Sequence, residues 1–372
     1  MASSVNFAQN TYSGEVLNDL LTYTAQGNDT YKEGLIHIKS GIQFKYTIPT
    51  IQLGKVIQDN VPTPNSTHGA GAGTTGGLNQ YTFTERYLEP QEFMVYLEFN
   101  PRDYEKYYKF AQPEGNLVFR DLDPKVQAKM LRLLMDRKNE YIGESIWCSA
   151  KGGSAAAKIT APEGCTTIGG ENAGGPMKYF DGAIKRILAN TATDATDVEK
   201  AGGQVIIAGT TELSTGASVE AALNAMWKKC PKQIRKKAGL VFVCGWDIWD
   251  LYDQYLSDKT VKYSDNTKVN DYRFKGKRIV PIVGIPEHTI VLGEFTTGME
   301  SNLWMGVDYA NDAEVVKVER LQANSELYFF QMRMKMDVNI VRPAEIVAWT
   351  AYKNTVVTVS YTHLRAHETS AH

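Results

Sequence analysis

The chain has 372 residues, of which 43% are hydrophobic and 22% charged, and a formal net charge of −2. That length accommodates two or three compact lobes with cores of their own, and the near-neutral balance excludes a global electrostatic pull towards nucleic acid or an anionic membrane. Four scattered cysteines (Cys148, Cys165, Cys230, Cys244) without CxxC spacing argue against a disulfide framework or zinc site, and no apolar run is long enough to span a bilayer.

The first residues have neither a basic n-region nor an apolar h-region, so a reducing, intracellular, soluble setting is expected. The sequons at Asn28 and Asn65 then read as chance matches. Residues 1–34 are polar and weakly periodic and read as an extended arm, with one short helix around Val16 to Tyr23. From Ile36 an alternation begins in which Ile36, Ile38, Ile42, Phe44, Tyr46 and Ile48 share one parity, the pattern of a half-buried strand. Residues 62–80, PTPNSTHGAGAGTTGGLNQ, have nothing to bury and would cost backbone entropy to order. The run QYTFTERYLEPQEFMVYLEF then returns as strand, with Phe93, Val95, Leu97 and Phe99 alternating. Strand, glycine-rich tip and strand predict a long hairpin projecting from the body.

Asp123-Pro124 opens the one long helix. Asp123 suits the N-cap, and Pro124 fits the first helical position, where its missing N–H costs nothing. Val126, Met130, Leu133, Leu134 and Tyr141 recur at helical spacing; Lys125, Lys129, Arg132, Asp136 and Lys138 take the other side. Ending near Trp147, the helix would be about 37 Å long. From Tyr179, helix and strand alternate: YFDGAIKRILAN, QVIIAG, SVEAALNAMWKKCPKQIRK with a stop or kink at Pro231, LVFVC as a buried strand, and WDIWDLYDQYL. Short β-segments follow at 272–295. The return half is strand-rich, with Phe330, Met332, Met334, Met336, Val338 and Ile340 on one side of a long ribbon and Arg333, Lys335, Asp337 and Asn339 on the other. The last fifteen residues, TVSYTHLRAHETSAH, hold half of the six histidines and fit no period. They resemble a translated sequencing-adapter remnant and are expected to lie outside the fold.

Few chemical motifs survive scrutiny. Gly71-Ala72-Gly73-Thr74-Thr75-Gly76 is formally GxGxxG, but a dinucleotide fingerprint needs a strand before it and a helix after it, whereas a Pro/Ser/Asn loop precedes and a strand follows. His37, His68 and His288 have no partner at ligand spacing, and no HExxH, GxSxG or P-loop occurs. No cofactor, metal or catalytic residue is expected. Lys228, Lys229, Lys232, Arg235, Lys236 and Lys237 form the densest basic cluster. Two readings stand: the solvated face of a surface helix, or a contact with packaged DNA or acidic residues of a neighbouring subunit.

Polar arm, glycine-tipped hairpin, one long helix, mixed α/β domain and long return strands, in that order, resemble the HK97-type major capsid proteins of tailed bacteriophages over about residues 1–352. The likeness has local texture in FTERYLEPQEF before NPRDY, in VQAKMLRLLMDRKNEYIGESIWCS, in IPEHTIVLGE and SNLWMGVDYAND, and in MRMKMDVNIVRPAEIVAWTAY. The resemblance implies an α+β, HK97-like capsid fold. Its parts would be an N-terminal arm (1–34), strands with an extended loop (35–98, tip 62–80), a peripheral domain (99–178, spine helix 123–147), a mixed α/β axial domain (179–300), return strands (301–357) and a non-native tail (358–372).

The function implied is a shell subunit forming hexamers and pentamers of an icosahedral head around double-stranded DNA, without sequence-specific contact and without a membrane. Its location would be the virion, assembled in the host bacterial cytoplasm. Portal, scaffold and decoration proteins are the further partners implied; the short arm points to a separate scaffold or to a chain trimmed at its start. One branch of the family crosslinks a lysine to an asparagine of the adjacent subunit. Lys55 lies in the hairpin limb as a candidate contact, but no partner residue matches. The alternatives are an encapsulin-type compartment and, more remotely, a nucleotide-binding enzyme using the glycine run.

Overall fold

The structure, a computed structural model, describes residues 10–12, 29–53, 81–100, 124–258, 273–308, 316–322 and 327–355. The glycine-rich stretch 62–80 with its GxGxxG, Lys55, Asp123, the short helix expected at Val16 to Tyr23 and the tail 358–372 lie outside them, as do the side chains of Val126, Met130 and Leu133.

In chain order the elements are β1 (Asn10–Tyr12), α1 (Asp29–Lys32), β2 (His37–Lys39), β3 (Tyr46–Leu53), β4 (Tyr81–Leu88), β5 (Gln91–Phe99) and α2 (Pro124–Cys148). Then come α3 (Ser154–Ala157), β6 (Ile159–Thr160), β7 (Glu171–Asn172), β8 (Gly175–Pro176), α4 (Ala183–Thr191), α5 (Asp197–Lys200), β9 (Ile206–Gly209) and α6 (Gly216–Lys229). The remainder are β10 (Leu240–Cys244), α7 (Trp246–Asp258), β11 (Arg273–Phe274), β12 (Lys277–Pro281), β13 (Thr289–Glu294), β14 (Leu303–Val307), β15 (Val316–Arg320), β16 (Tyr328–Ile340), β17 (Val347–Thr350) and β18 (Lys353–Asn354).

Among the described residues two six-stranded sheets organise the body. One runs β1-β15-β16-β14-β2 with β5 also paired to β16, and the other β11-β12-β10-β13-β17-β9. In the second sheet β10 is buried at all five residues because both its faces are covered. Leu240, Phe242 and Cys244 pack with Val219, Leu223 and Met226 of α6 and with Ile248 and Trp249 of α7. Val241 and Val243, of the other parity, belong to the larger core shared with α2, α4 and β14. LVFVC is therefore an unbroken apolar run, where a one-faced strand would alternate.

The end of α2 is the best-anchored part of that helix. Tyr141, Ile142, Ile146, Trp147 and Cys148 are buried in the larger core. The Trp147 indole N–H donates to Thr30 Oγ1 at 3.0 Å, and its ring meets Phe295 edge-on. Helix α4 starts against this end at Gly182, whose N–H donates to Ser149 O at 2.8 Å. A Cβ at Gly182 would lie 2.8 Å from the Trp147 carbonyl oxygen, so the crossing depends on the missing side chain.

Three expectations need correction. The alternation from Ile36 to Ile48 is not one strand: it ends at Lys39, and β3 starts at Tyr46. Gly41 turns the backbone at φ 79°, leaving Ile42 buried and Phe44 82% exposed. The segment 81–99 is likewise two strands, divided at Glu89-Pro90, with β4 pairing β3 and β5 pairing β16. Finally, Lys138 does not face solvent. It is 5% exposed beneath β16, its ammonium 3.1 Å from Met332 Sδ and without a carboxylate partner among the described residues, and burial pulls its pKa down to about 7.

Candidate functional site

Two regions present groups that a neighbouring molecule would meet: the β3–β4 hairpin with its root, and the end of α6. The hairpin pairs over eight residues, from Tyr46↔Leu88 to Leu53↔Tyr81, and among the described residues neither strand joins another sheet. At the body end Ile48 and Leu88 are buried with Ile42, Trp304 and Val341. Farther out, the directly opposed Ile51 and Phe83 are 62% and 70% exposed, so this apolar pair gains nothing from the subunit's own core. Met94, Tyr96 and Leu97 add exposed apolar surface on β5.

The root is fixed by polar side chains of the body. Asn339 Nδ2 donates to Tyr87 O at 2.7 Å, and the Glu89 N–H donates to Asp337 Oδ2 at 2.8 Å. Arg186 on α4 reaches Asp337 at 3.3 Å and Asp181 at 3.6 Å. Burial pushes the Asp337 carboxyl up to about 6, against the opposing pull of Arg186. Arg86 points inward from β4 and donates through Nη1 to Glu199 O (3.3 Å) and Ala201 O (2.9 Å).

Both Asp337 and Asn339 are buried, although strand parity places them opposite the apolar side of β16. Their end of the strand is covered on both faces, one by the core and the other by α4 and the hairpin root. Sequence reasoning missed this constellation; the only signal was two short polar residues inside an otherwise apolar strand end.

The basic cluster divides in two. Lys228, Lys229, Lys232 and Lys236 are exposed, with Lys229 donating to Ile207 O at 2.9 Å. Arg235 folds back instead onto the last carbonyls of α6, donating to Trp227 O at 2.8 Å and Cys230 O at 3.2 Å, and stacks on the Trp227 ring. Lys237 is held at 2.7 Å from Glu294 and 2.9 Å from Glu345, the same two carboxylates that Arg342 binds.

Among the described residues no group of three His, Cys, Asp or Glu could hold a metal ion, and no helix is long and apolar enough to cross a membrane. His37 packs against Trp304, and His288 sits against the main chain at Leu213. Burial drives the Cys148 and Cys244 thiols well above their ordinary range, away from nucleophilic chemistry.

The chain has the α+β architecture of the HK97-like capsid fold. It superposes on a chain of the satellite phage P4 procapsid, in an assembly that includes the size determination (Sid) protein, with a TM-score of 0.52 and 12% identity, covering 92% of this chain and 93% of that one. Lower-scoring similarities include a chain of the cyanophage A-1(L) capsid asymmetric unit (TM-score 0.49, 14% identity, 94% and 96% covered). Another is the virus-like particle from Pyrococcus furiosus (0.43, 13%, 89% and 96%). No protein-family model and no curated protein matches the sequence.

Proposed function

We propose that this chain is the major capsid protein of a tailed bacteriophage, assembling into hexamers and pentamers of an icosahedral shell around double-stranded DNA. The observation that carries the reading is the HK97-like fold itself. The hairpin supports it: Ile51 and Phe83 are exposed on a ribbon that no other described strand completes. In a solitary subunit such a ribbon invites aggregation; in a lattice it meets a neighbour.

The protein acts structurally, with no catalytic step and no cofactor. Its main partner is itself, with portal, scaffold and decoration proteins joining the assembly, and its place is the virion after assembly in the bacterial cytoplasm. Lys228, Lys229, Lys232 and Lys236 serve as contacts to packaged DNA or to acidic neighbours, while Arg235 and Lys237 hold the local structure. Lys55 remains a candidate contact in the hairpin limb.

The test is expression of the chain with its phage's scaffold and portal, followed by electron microscopy and nucleic-acid assay of nuclease-treated particles. Closed shells protecting double-stranded DNA are expected. Closed shells filled with protein cargo and free of DNA would replace the phage reading with the encapsulin one; a monodisperse subunit under every assembly condition would refute both.

A further inference from the structure

A cleft of about 310 Å³ opens at the hairpin root, between β4, α4 and the segment around α5. Its lining includes Arg86, Lys185 and Arg186 as cations and Asp181 and Glu199 as carboxylates. The carboxylates are already engaged. Asp181 accepts from the Lys151 N–H at 2.9 Å and faces Arg186. Glu199 closes a capping box on α5, accepting from the Thr196 N–H at 2.8 Å and hydroxyl at 3.0 Å. Arg186 is satisfied by Asp181, by Asp337 behind the cleft and by Val338 O; Lys185 donates to Ala157 O at 2.7 Å.

Arg86 is the exception. It is 4% exposed, its Nε has no hydrogen-bond partner, Nη1 reaches only two main-chain carbonyls, and among the described residues no carboxylate lies within ion-pair distance. A guanidinium kept out of water without a paired anion is costly; burial and the repulsion of a second guanidinium, Arg186, outweigh the attraction of the more distant Glu199 carboxylate and pull the Arg86 pKa down to about 10. Carbonyl dipoles offset part of this cost but carry no net charge.

We propose that the cleft is a binding site for a small oxyanion, a carboxylate or phosphate group held by Arg86, with Lys185 and Arg186 adding positive charge at the cleft wall. The cleft has room for such a group, and a forked guanidinium in a shielded cleft suits paired oxygens. The oxyanion has two sources: a free anion such as inorganic phosphate, or an acidic side chain of a second copy of this chain. Only the latter source rests on the shell reading.

The experiment is thermal melting of the unassembled subunit in inorganic phosphate against chloride of matched ionic strength, for the parent, Arg86→Gln and Lys185→Glu. A phosphate-specific rise in Tm of about 2–4 °C is expected for the parent and its loss in both variants. Lys185 is on the cleft wall rather than in the hairpin ladder, so its variant keeps the test informative if Arg86→Gln fails to fold. No phosphate-specific rise in the parent, or an equal rise in the variants that fold, overturns the proposal.

Assembled particles distinguish the sources. Phosphate that stabilises the free subunit, slows assembly and leaves particles unchanged identifies a neighbour's carboxylate as the occupant; phosphate that stabilises subunit and particle alike identifies a free anion. Both support the site, and the subunit measurement stands even if no shell forms.

Discussion

Lys138 shows how much one residue can cost and still be kept. Its ammonium is buried against the Met332 thioether with no counter-charge among the described residues, and burial brings its pKa down to about 7. Since its unfolded value is about 10.4, the unfolded chain binds the extra proton between these two pH values. Stability should therefore rise with pH from about 7 to 10, at most about 1.4 kcal/mol per unit from this group, and the full penalty should apply below pH 7. Lys138→Met, similar in length and free of charge, should stabilise the subunit by about 1–3 kcal/mol at pH 6 and flatten that pH dependence. Urea denaturation of both proteins at pH 6 and pH 9 checks this; equal stabilities at pH 6 would mean that the amine is hydrated.

At the scale of elements, α2 and the β3–β4 hairpin make opposite demands on their apolar residues. Ile142, 1% exposed, belongs to the core that joins α2 to the sheets. Ile142→Asp would place an unpaired carboxylate there, costing several kcal/mol against a typical total of about 5–15. Soluble subunit should disappear, whereas Arg137→Glu on the exposed side of the same helix should leave yield near the parent's. On the hairpin, Phe83→Ser removes an exposed ring and should leave subunit Tm within about 1 °C. Shell formation, followed by light scattering, should be lost or slowed at least tenfold. Unimpaired assembly would show that the ribbon's apolar pair is not a contact.

The whole molecule combines near-neutral net charge with local charge that is sorted by role. Lys237 and Arg342 share Glu294 and Glu345 in a half-buried network, while Lys228, Lys232 and Lys236 have no such partners among the described residues. Reversing those three to Glu should leave subunit stability unchanged, because surface charges contribute little to it. If they meet DNA or acidic neighbours, the same change should lower packaged-DNA yield or assembly at low salt, with the difference shrinking as ionic strength rises. Identical yields across the salt range would assign the lysines to solvation alone.

Several features were legible in the linear order of residues because they depend on local periodicity. The five apolar residues of β10, the helix opening at Pro124, the helical stop before Pro231 and the long ribbon of β16 all follow from spacing that any neighbour must accommodate. The same spacing could not show that Lys138 lies under β16, that Gly41 splits one apparent strand into two, or that Asp337 and Asn339 turn inward to hold the hairpin root. Periodicity reports which residues share a face of an element; whether that face meets water, a second layer or an arginine depends on elements more than a hundred residues away. Arg86 and Arg186 are a hundred positions apart in the chain and become one site only when α4 packs beside the end of β16. Sequence by itself determined the long helix, the buried strand β10 and the long ribbon β16; tertiary packing decided where apparent strands divide and which charges are buried, because desolvation is set by what covers a side chain and not by its place in a repeat.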